Sequence, residues 1–311
     1  MIVTLSVHID KMMINSKEVT MHIDILSDTH FDSWLGYPHL HESKKLTPHK
    51  ESVISLWRRF KPKGEYLVLA GDIGHSIAQN LHILKILKEV FYKEIILTMG
   101  NHDYYVADRE YKTVYQNGIE KANHAKGLYQ EAGMIVLDGT VVDIEGVRFG
   151  GAMGWYHSAY AHKNRAKLGA MQASYYYPSL EGFLQELWSD CINDKRYTKL
   201  DFFDELFEEE YAKLEAVHQE CDVMVSHYNP SILFEHQSKA WARNPSTAFF
   251  CFDGEELVKN MSGSLWIYGH THDSMHYYLH KKECLTNALG YHSEWPKPNT
   301  VVTKEIMIKK H

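Results

Sequence analysis

Short apolar runs recur along the chain, and each ends in Asp, Asn or His. Ile23-Asp24-Ile25-Leu26-Ser27 leads into Asp28-Thr29-His30, and Tyr66-Leu67-Val68-Leu69-Ala70 leads into Gly71-Asp72. Glu94-Ile95-Ile96-Leu97-Thr98-Met99 leads into Gly100-Asn101-His102-Asp103. Two later runs, Asp222-Val223-Met224-Val225 and Ser264-Leu265-Trp266-Ile267-Tyr268, lead into Ser226-His227 and Gly269-His270-Thr271-His272. Runs of this length bounded by turn residues predict buried strands. Between the first three lie helical patterns. Residues 48–60 set Val53, Ile54, Leu56, Trp57 and Phe60 on one face, and Lys61-Pro62-Lys63-Gly64 stops them. Residues 76–90 carry an apolar stripe of Ile77, Leu81, Leu84, Ile86 and Leu87. A polar helical stretch, 109–131, follows the third strand. This alternation predicts right-handed crossovers and a mainly parallel half-sheet.

The rhythm changes at Met134, where two strand-like runs joined by turns predict the start of a second, more antiparallel sheet, with a hairpin at Glu145-Gly146. An excursion over residues 154–220 is too long for a plain loop. In it Phe202, Phe203, Leu206, Phe207, Tyr211 and Leu214 recur at helical spacing. It predicts a helical cap, with the acidic run 201–210 as a solvated helix face. The chain then predicts a helix over 253–261, a hairpin over 275–288 and a closing strand over 300–309. Residues 1–20 precede the first strand and are expected to be a dispensable extension, with an edge strand at residues 2–7 as the alternative. Residues 21–311 form the main domain.

With 311 residues and 44% hydrophobic content, the chain can bury a sizeable core. A net charge of −7 supplies no overall basic field for long nucleic acid. No apolar run approaches a membrane span, and the N-terminus lacks a signal-peptide core. Cys191, Cys221, Cys251 and Cys284 show no paired spacing and read as free thiols in the cytoplasm.

A strand-end Asp or a single His is by itself a common turn or structural residue. Five such blocks in the order D-x-H, G-D, G-N-H-D, H, G-H-x-H are another matter. From about residue 24 to 291 they resemble the calcineurin-like metallophosphoesterase superfamily. The resemblance implies an α/β fold, a four-layer α/β/β/α sandwich of two mixed sheets with a helical insertion. It also implies two divalent cations: Asp28, His30 and His272 on the first, Asn101, His227 and His270 on the second, and Asp72 bridging both. Manganese is expected, with iron, zinc, cobalt or nickel as alternatives. The alternate residues of Asp28-x-His30 and His270-x-His272 are expected to face one side of extended backbone, and Gly71, Gly100 and Gly269 to permit tight turns.

The implied reaction is hydrolysis of a phosphoester by a metal-bound hydroxide, as phosphatase or phosphodiesterase, with His102 as general acid. Cyclic-nucleotide or nucleic-acid phosphodiesterase activity is the alternative, and a non-catalytic protein-binding scaffold is the rival of another class. The expected substrate is a small phosphoester or a phosphoprotein. Gly154-Trp155, His227-Tyr228-Asn229-Pro230 and Asn287-Ala288-Leu289-Gly290-Tyr291 look like a bacterial or phage branch. In some relatives an Asp three residues after the bridging Asp orients the acid. That position here is His75, which leaves the role open between Asp103, a distant carboxylate and no partner. Arg109 and Arg243 are candidate phosphate clamps, and Tyr104 is a candidate pocket wall.

Overall fold

The computed structural model describes residues 19–35, 47–169, 175–294 and 302–308. One sheet carries β1 (Val19–Leu26), β2 (Tyr66–Ala70), β3 (Glu94–Thr98) and β4 (Ile135–Val136) in parallel. Strand β11 (Val302–Ile308) pairs antiparallel along the free edge of β1. The second sheet has the order β5 (Thr140–Ile144), β6 (Val147–Gly151), β7 (Val223–Val225), β8 (Leu265–Tyr268), β10 (Lys282–Asn287), β9 (Ser274–Leu279). Its centre, β6 to β10, is parallel, and each outer pair is antiparallel.

Both faces of each central strand are apolar, and the alternation sorts them. Tyr66, Val68 and Ala70 of β2 join Val223, Val225, Leu265 and Ile267 in a core between the sheets. Their neighbours Leu67, Leu69, Met224, Trp266 and Tyr268 point outward into a second core. Helices cover the outer faces. The first sheet is backed by α2 (Lys50–Arg59), α3 (Ile77–Val90) and α5 (Gly118–Glu131), which follow α1 (Phe31–Trp34) and flank α4 (Arg109–Val114). The second is backed by α9 (Phe207–Val217) and α10 (Glu255–Asn260). The result is the expected α/β/β/α sandwich. Residues 154–220 add α6 (Ala159–Asn164), α7 (Leu180–Cys191) and α8 (Asn193–Thr198) ahead of α9. No described helix is long and apolar enough to cross a membrane.

Residues 109–131 are helical as expected, in two pieces, because Asn117 caps α5 by accepting from Glu120 N at 3.0 Å. Two expectations need correction. The run at Met134 does not open the second sheet: β4 extends the first sheet by pairing with β3, and the second begins at β5. The acidic run is a helix only from Phe207, where Glu208 and Glu209 suit the positive helix terminus. Glu210 turns inward, accepts from Gly154 N at 3.1 Å and meets Lys213 at 2.7 Å. Val19 and Thr20 already belong to β1. Residues 1–18 and 36–46, the latter with Tyr37, Pro38, His39 and His41, lie outside the described residues.

One buried polar group ties four segments together. Asp24 in β1 accepts from Gly64 N (2.8 Å), Lys63 N (3.0 Å) and Tyr92 Oη (2.9 Å). The Tyr92 oxygen in turn accepts from Trp57 Nε1 of α2 (3.0 Å). Tyr92→Phe takes the acceptor from a buried indole N–H. It is expected to cost about 1–3 kcal/mol in urea unfolding; an unchanged midpoint would contradict this account.

Candidate metal centre

The blocks sit at the carboxyl ends of β1, β2 and β3 in one sheet and of β7 and β8 in the other, where parallel sheets expose their chemistry. The backbone there is not extended as expected. Asp28 (φ 49), His30 (φ 37), Asp72 (φ 54), His270 (φ 68) and His272 (φ 52) all adopt left-handed conformations. Non-glycine residues enter this region at a cost of about 1–3 kcal/mol each, so the surrounding contacts must hold them. The D-x-H spacing therefore works through two left-handed residues, not through strand alternation. Gly100 gives the closest approach: a Cβ there would lie 2.1 Å from Asp72 Oδ1 and 2.4 Å from Asp72 N.

Among the described residues three overlapping groups of side chains converge. Asp28, His30 and His272 present ligand-type atoms within 4.8 Å of one another, as do Asp72, His227 and His270, and so do His30, Asp72 and His102. His30 Nε2 lies 3.0 Å from His272 Nε2, and His272 Nε2 lies 3.7 Å from Asp28 Oδ1. Asp72 Oδ2 lies between the groups, 3.8 Å from His30 Nε2 and 3.5 Å from His227 Nε2. Asn101 joins the second group, its Oδ1 3.0 Å from His227 Nε2. All seven residues named from the sequence as ligands are thus brought together.

The donor chemistry fits cations. His227 Nδ1 must donate to the Ala70 carbonyl (2.9 Å), so a neutral ring aims the Nε2 lone pair at the oxygens of Asn101 and Asp72. His272 Nδ1 faces Glu294 (3.1 Å), which turns its Nε2 lone pair towards His30 Nε2. Facing lone pairs at these distances repel unless a proton or a cation lies between them. Backbone N–H groups hold the carboxylates in place: His270 N donates to Asp28 at 3.0 Å and His102 N to Asp72 Oδ1 at 3.0 Å.

The electrostatics agree. Burial opposes ionisation of Asp72, but His102, His227 and His30 outweigh it and hold the carboxyl well below its ordinary range. Burial lowers the His227 imidazolium, yet Asp72 and then Asp28 raise it to about 9. Burial lowers His30 to about 3 and pushes His270 well below its ordinary value. These buried Asp and His groups form a metal site of the dinuclear kind.

His102 lies beside this centre, with Nε2 3.7 Å from Asp72 Oδ2. Its Nδ1 meets His75 Nε2 at 2.8 Å, and His75 Nδ1 hydrogen-bonds Asp32. The partner left open by the sequence is therefore His75, backed by the carboxylate of Asp32. Asp103 instead accepts from Gly100 N at 2.8 Å and shapes the turn. Burial, against the pull of Lys121, raises its carboxyl to about 6. Arg109 is exposed at the start of α4, and Arg243 packs over Phe234. Tyr104 is buried near Trp155.

Sequence reading missed Asp32, Glu294 and Asp194, and it named Tyr291 without a role. Asp32 could have been found two residues beyond His30, whereas Glu294 and Asp194 had no local signal. Tyr291 stacks on His30 (4.3 Å) and points Oη at His102 Nε2 from 3.5 Å.

The profile of the calcineurin-like phosphoesterases matches residues 21–274. The chain belongs to this family of metal-dependent hydrolases. It is 22% identical over 263 residues to an uncharacterised protein of Acanthamoeba polyphaga mimivirus, covering 79% of this chain and 86% of the relative. A phosphopantetheinyl hydrolase from Mycobacterium tuberculosis shares the fold, with a TM-score of 0.63, 16% identity, and coverage of 91% and 95% of the two chains.

Because His227 stays protonated up to about 9 and a ligand needs its lone pair, metal uptake must displace that proton. Near neutral pH, Mn²⁺ titration of the metal-free protein is expected to release at least one proton, since His272 is also raised, its burial outweighed by Glu294 and Asp28. Affinity should rise with pH and level off above about 9. The same raised pKa stabilises the metal-free fold below the ordinary 6.5, and this contribution is lost as pH rises through about 9. Calorimetry in buffers of different ionisation enthalpy reads the proton; affinity that falls with rising pH would contradict the assignment.

Proposed function

We propose that this chain hydrolyses a phosphoester, either a small molecule or a phosphoprotein, with His102 as general acid. The observation that carries the reading is the convergence of Asp28, His30 and His272 on one side and Asp72, His227 and His270 on the other, with Asp72 Oδ2 between them and His102 Nε2 beside it. Asp28, His30, His272 and Asp72 would hold one divalent cation, and Asp72, Asn101, His227 and His270 the other. Such a pair, when bound, acidifies water and neutralises phosphoryl oxygens. Manganese is the first metal to load, although His, Asp and Asn donors suit several first-row ions. The helical segment 154–220 is read as a cap beside the site. The four free thiols fit a reducing compartment such as the cytoplasm.

The remaining side chains act on the substrate. Asp32 is held below the ordinary carboxyl value by His75, which outweighs its burial, so it accepts the His75 Nδ1 proton. His75 Nε2 is then an acceptor and selects the His102 tautomer that carries its proton on Nδ1. That leaves His102 Nε2 facing the reacting side. Burial keeps this ring neutral in the resting protein. An anionic ester beside Nε2 favours its protonation, and that proton leaves with the ester oxygen. His102 also lies within ligand reach of His30 and Asp72; this reading gives its Nε2 to the ester, because His75 holds its other nitrogen. Tyr291, stacked on His30, closes one wall.

His102→Ala is expected to keep two metals per chain. It should lose about 10²–10⁴-fold in kcat on alkyl esters and far less on p-nitrophenyl esters, whose leaving group needs no proton. His75→Ala should show the same pattern with smaller amplitude. A His102→Ala protein that sheds metal would remove the acid role. The substrate class is read by a Mn²⁺-loaded panel of aryl monoester, aryl diester, cyclic nucleotides, short oligonucleotides, phosphopeptides and a phosphopantetheinyl-serine peptide. Failure to hydrolyse any of them with both metals bound would overturn the enzymatic reading in favour of a scaffold.

A further inference from the structure

Asn101 is an ambiguous ligand, because its amide has an oxygen that can bind a cation and an NH₂ that cannot. Which end faces the second set depends on what lies behind it. There the structure brings in Asp194, from α8 of the helical excursion, 93 residues away in sequence. Asp194 is 1% exposed. Its Oδ1 accepts from Asn101 Nδ2 at 2.7 Å and from Tyr105 Oη at 2.6 Å, and its Oδ2 accepts from Tyr156 Oη at 2.7 Å. Trp188 Nε1 donates to the Tyr156 oxygen at 2.7 Å, which anchors the far side of the cluster in α7.

A carboxylate in this place accepts and does not donate. A flipped Asn101 would set its carbonyl oxygen against it, with two acceptors at hydrogen-bond distance in a dry interior, while NH₂ faced the imidazole of His227. The amide nitrogen also donates to Tyr105 Oη at 3.0 Å, and because that hydroxyl gives its proton to Asp194 its oxygen is left to accept; Asp194, directly and through Tyr105, therefore selects one of the two amide orientations. It also reaches the acid: Tyr105, held by the same Oδ1, stacks on His102 with ring centroids 4.4 Å apart. The backbone of the excursion docks at the same place, where Val106 N donates to Tyr197 O at 2.8 Å.

We propose that Asp194 is a positioning residue for Asn101, fixing Oδ1 towards the second cation set and making that set complete only when the helical excursion is docked. This rests on the two-cation reading above. Groups that orient metal ligands from behind typically cost 10–100-fold in metal affinity when removed. The test is Mn²⁺ calorimetry on the full-length chain. Wild type is expected to take two ions. Asp194→Ala should bind one with unchanged affinity and the other about 10–100-fold more weakly. Tyr156→Phe, which removes a donor to Oδ2 and leaves Asn101 alone, should keep both affinities even if it melts earlier. Should Asp194→Ala not fold, the exchanged pair decides. Asn101→Asp alone sets two carboxylates face to face and should lose the second ion, and adding Asp194→Asn restores a donor and should recover it.

Unchanged affinities in Asp194→Ala would overturn the proposal. So would an equal loss in Tyr156→Phe, or no recovery in the exchanged pair. A wild-type chain that takes up fewer than two ions would instead refute the two-cation reading.

Discussion

Asp72 lies, almost wholly buried, where imidazoles from both sheets meet, and the surrounding structure is arranged around that one carboxylate. Isolated in a protein interior, such a charge would cost several kcal/mol. Here His30, His102 and His227 bring nitrogen atoms to within 3.8, 3.7 and 3.5 Å of Oδ2, and His102 N occupies Oδ1. The carboxylate cannot be satisfied by one sheet alone. His30 and His102 follow strands of the first sheet, and His227 follows a strand of the second. Meeting its demand requires the strand ends of the two sheets to come together, which the apolar core between them enforces.

That requirement explains the backbone of the site. Five of the seven candidate ligands hold left-handed conformations that their side chains would not choose. The strain is borne by hydrogen bonds that cross between segments: Asp28 N to Gly71 O, His30 N to Asp72 O and Gly269 N to His227 O. Each block is thus held by another block. The centre is a property of five turns together, and none of them would keep its shape in isolation.

Behind the donors stands a ring of orienting groups. Glu294 holds His272, the Ala70 carbonyl holds His227, Asp194 holds Asn101, and His75 with Asp32 holds His102. Such partners set ring orientation and tautomer, and so decide which atom each ligand presents. They come from segments far apart in the chain: α1, the end of β2 and the turn after it, α8, and the 3-10 turn at His292–Glu294. The helical excursion is therefore joined to the candidate site by a carboxylate and three aromatic side chains.

Much of this was legible in the chain. Apolar runs of the right length marked the central strands, because a strand buried on both faces needs no polar position. The turn blocks that end them named seven candidate donors, and the structure brings all seven together. What the sequence could not carry was partnership. Whether the run at Met134 joined the first sheet or opened the second depended on hydrogen bonding to β3. Asp32, Asp194 and Glu294 look like ordinary surface acids in the sequence, and His75 looked like a departure from a pattern. The sequence by itself determined the layered fold, which follows from local residue type and spacing, and its resemblance to the family singled out the candidate donors. Tertiary structure alone decided which atom of each donor faces inward, because that choice is made by hydrogen bonds between residues tens to hundreds of positions apart.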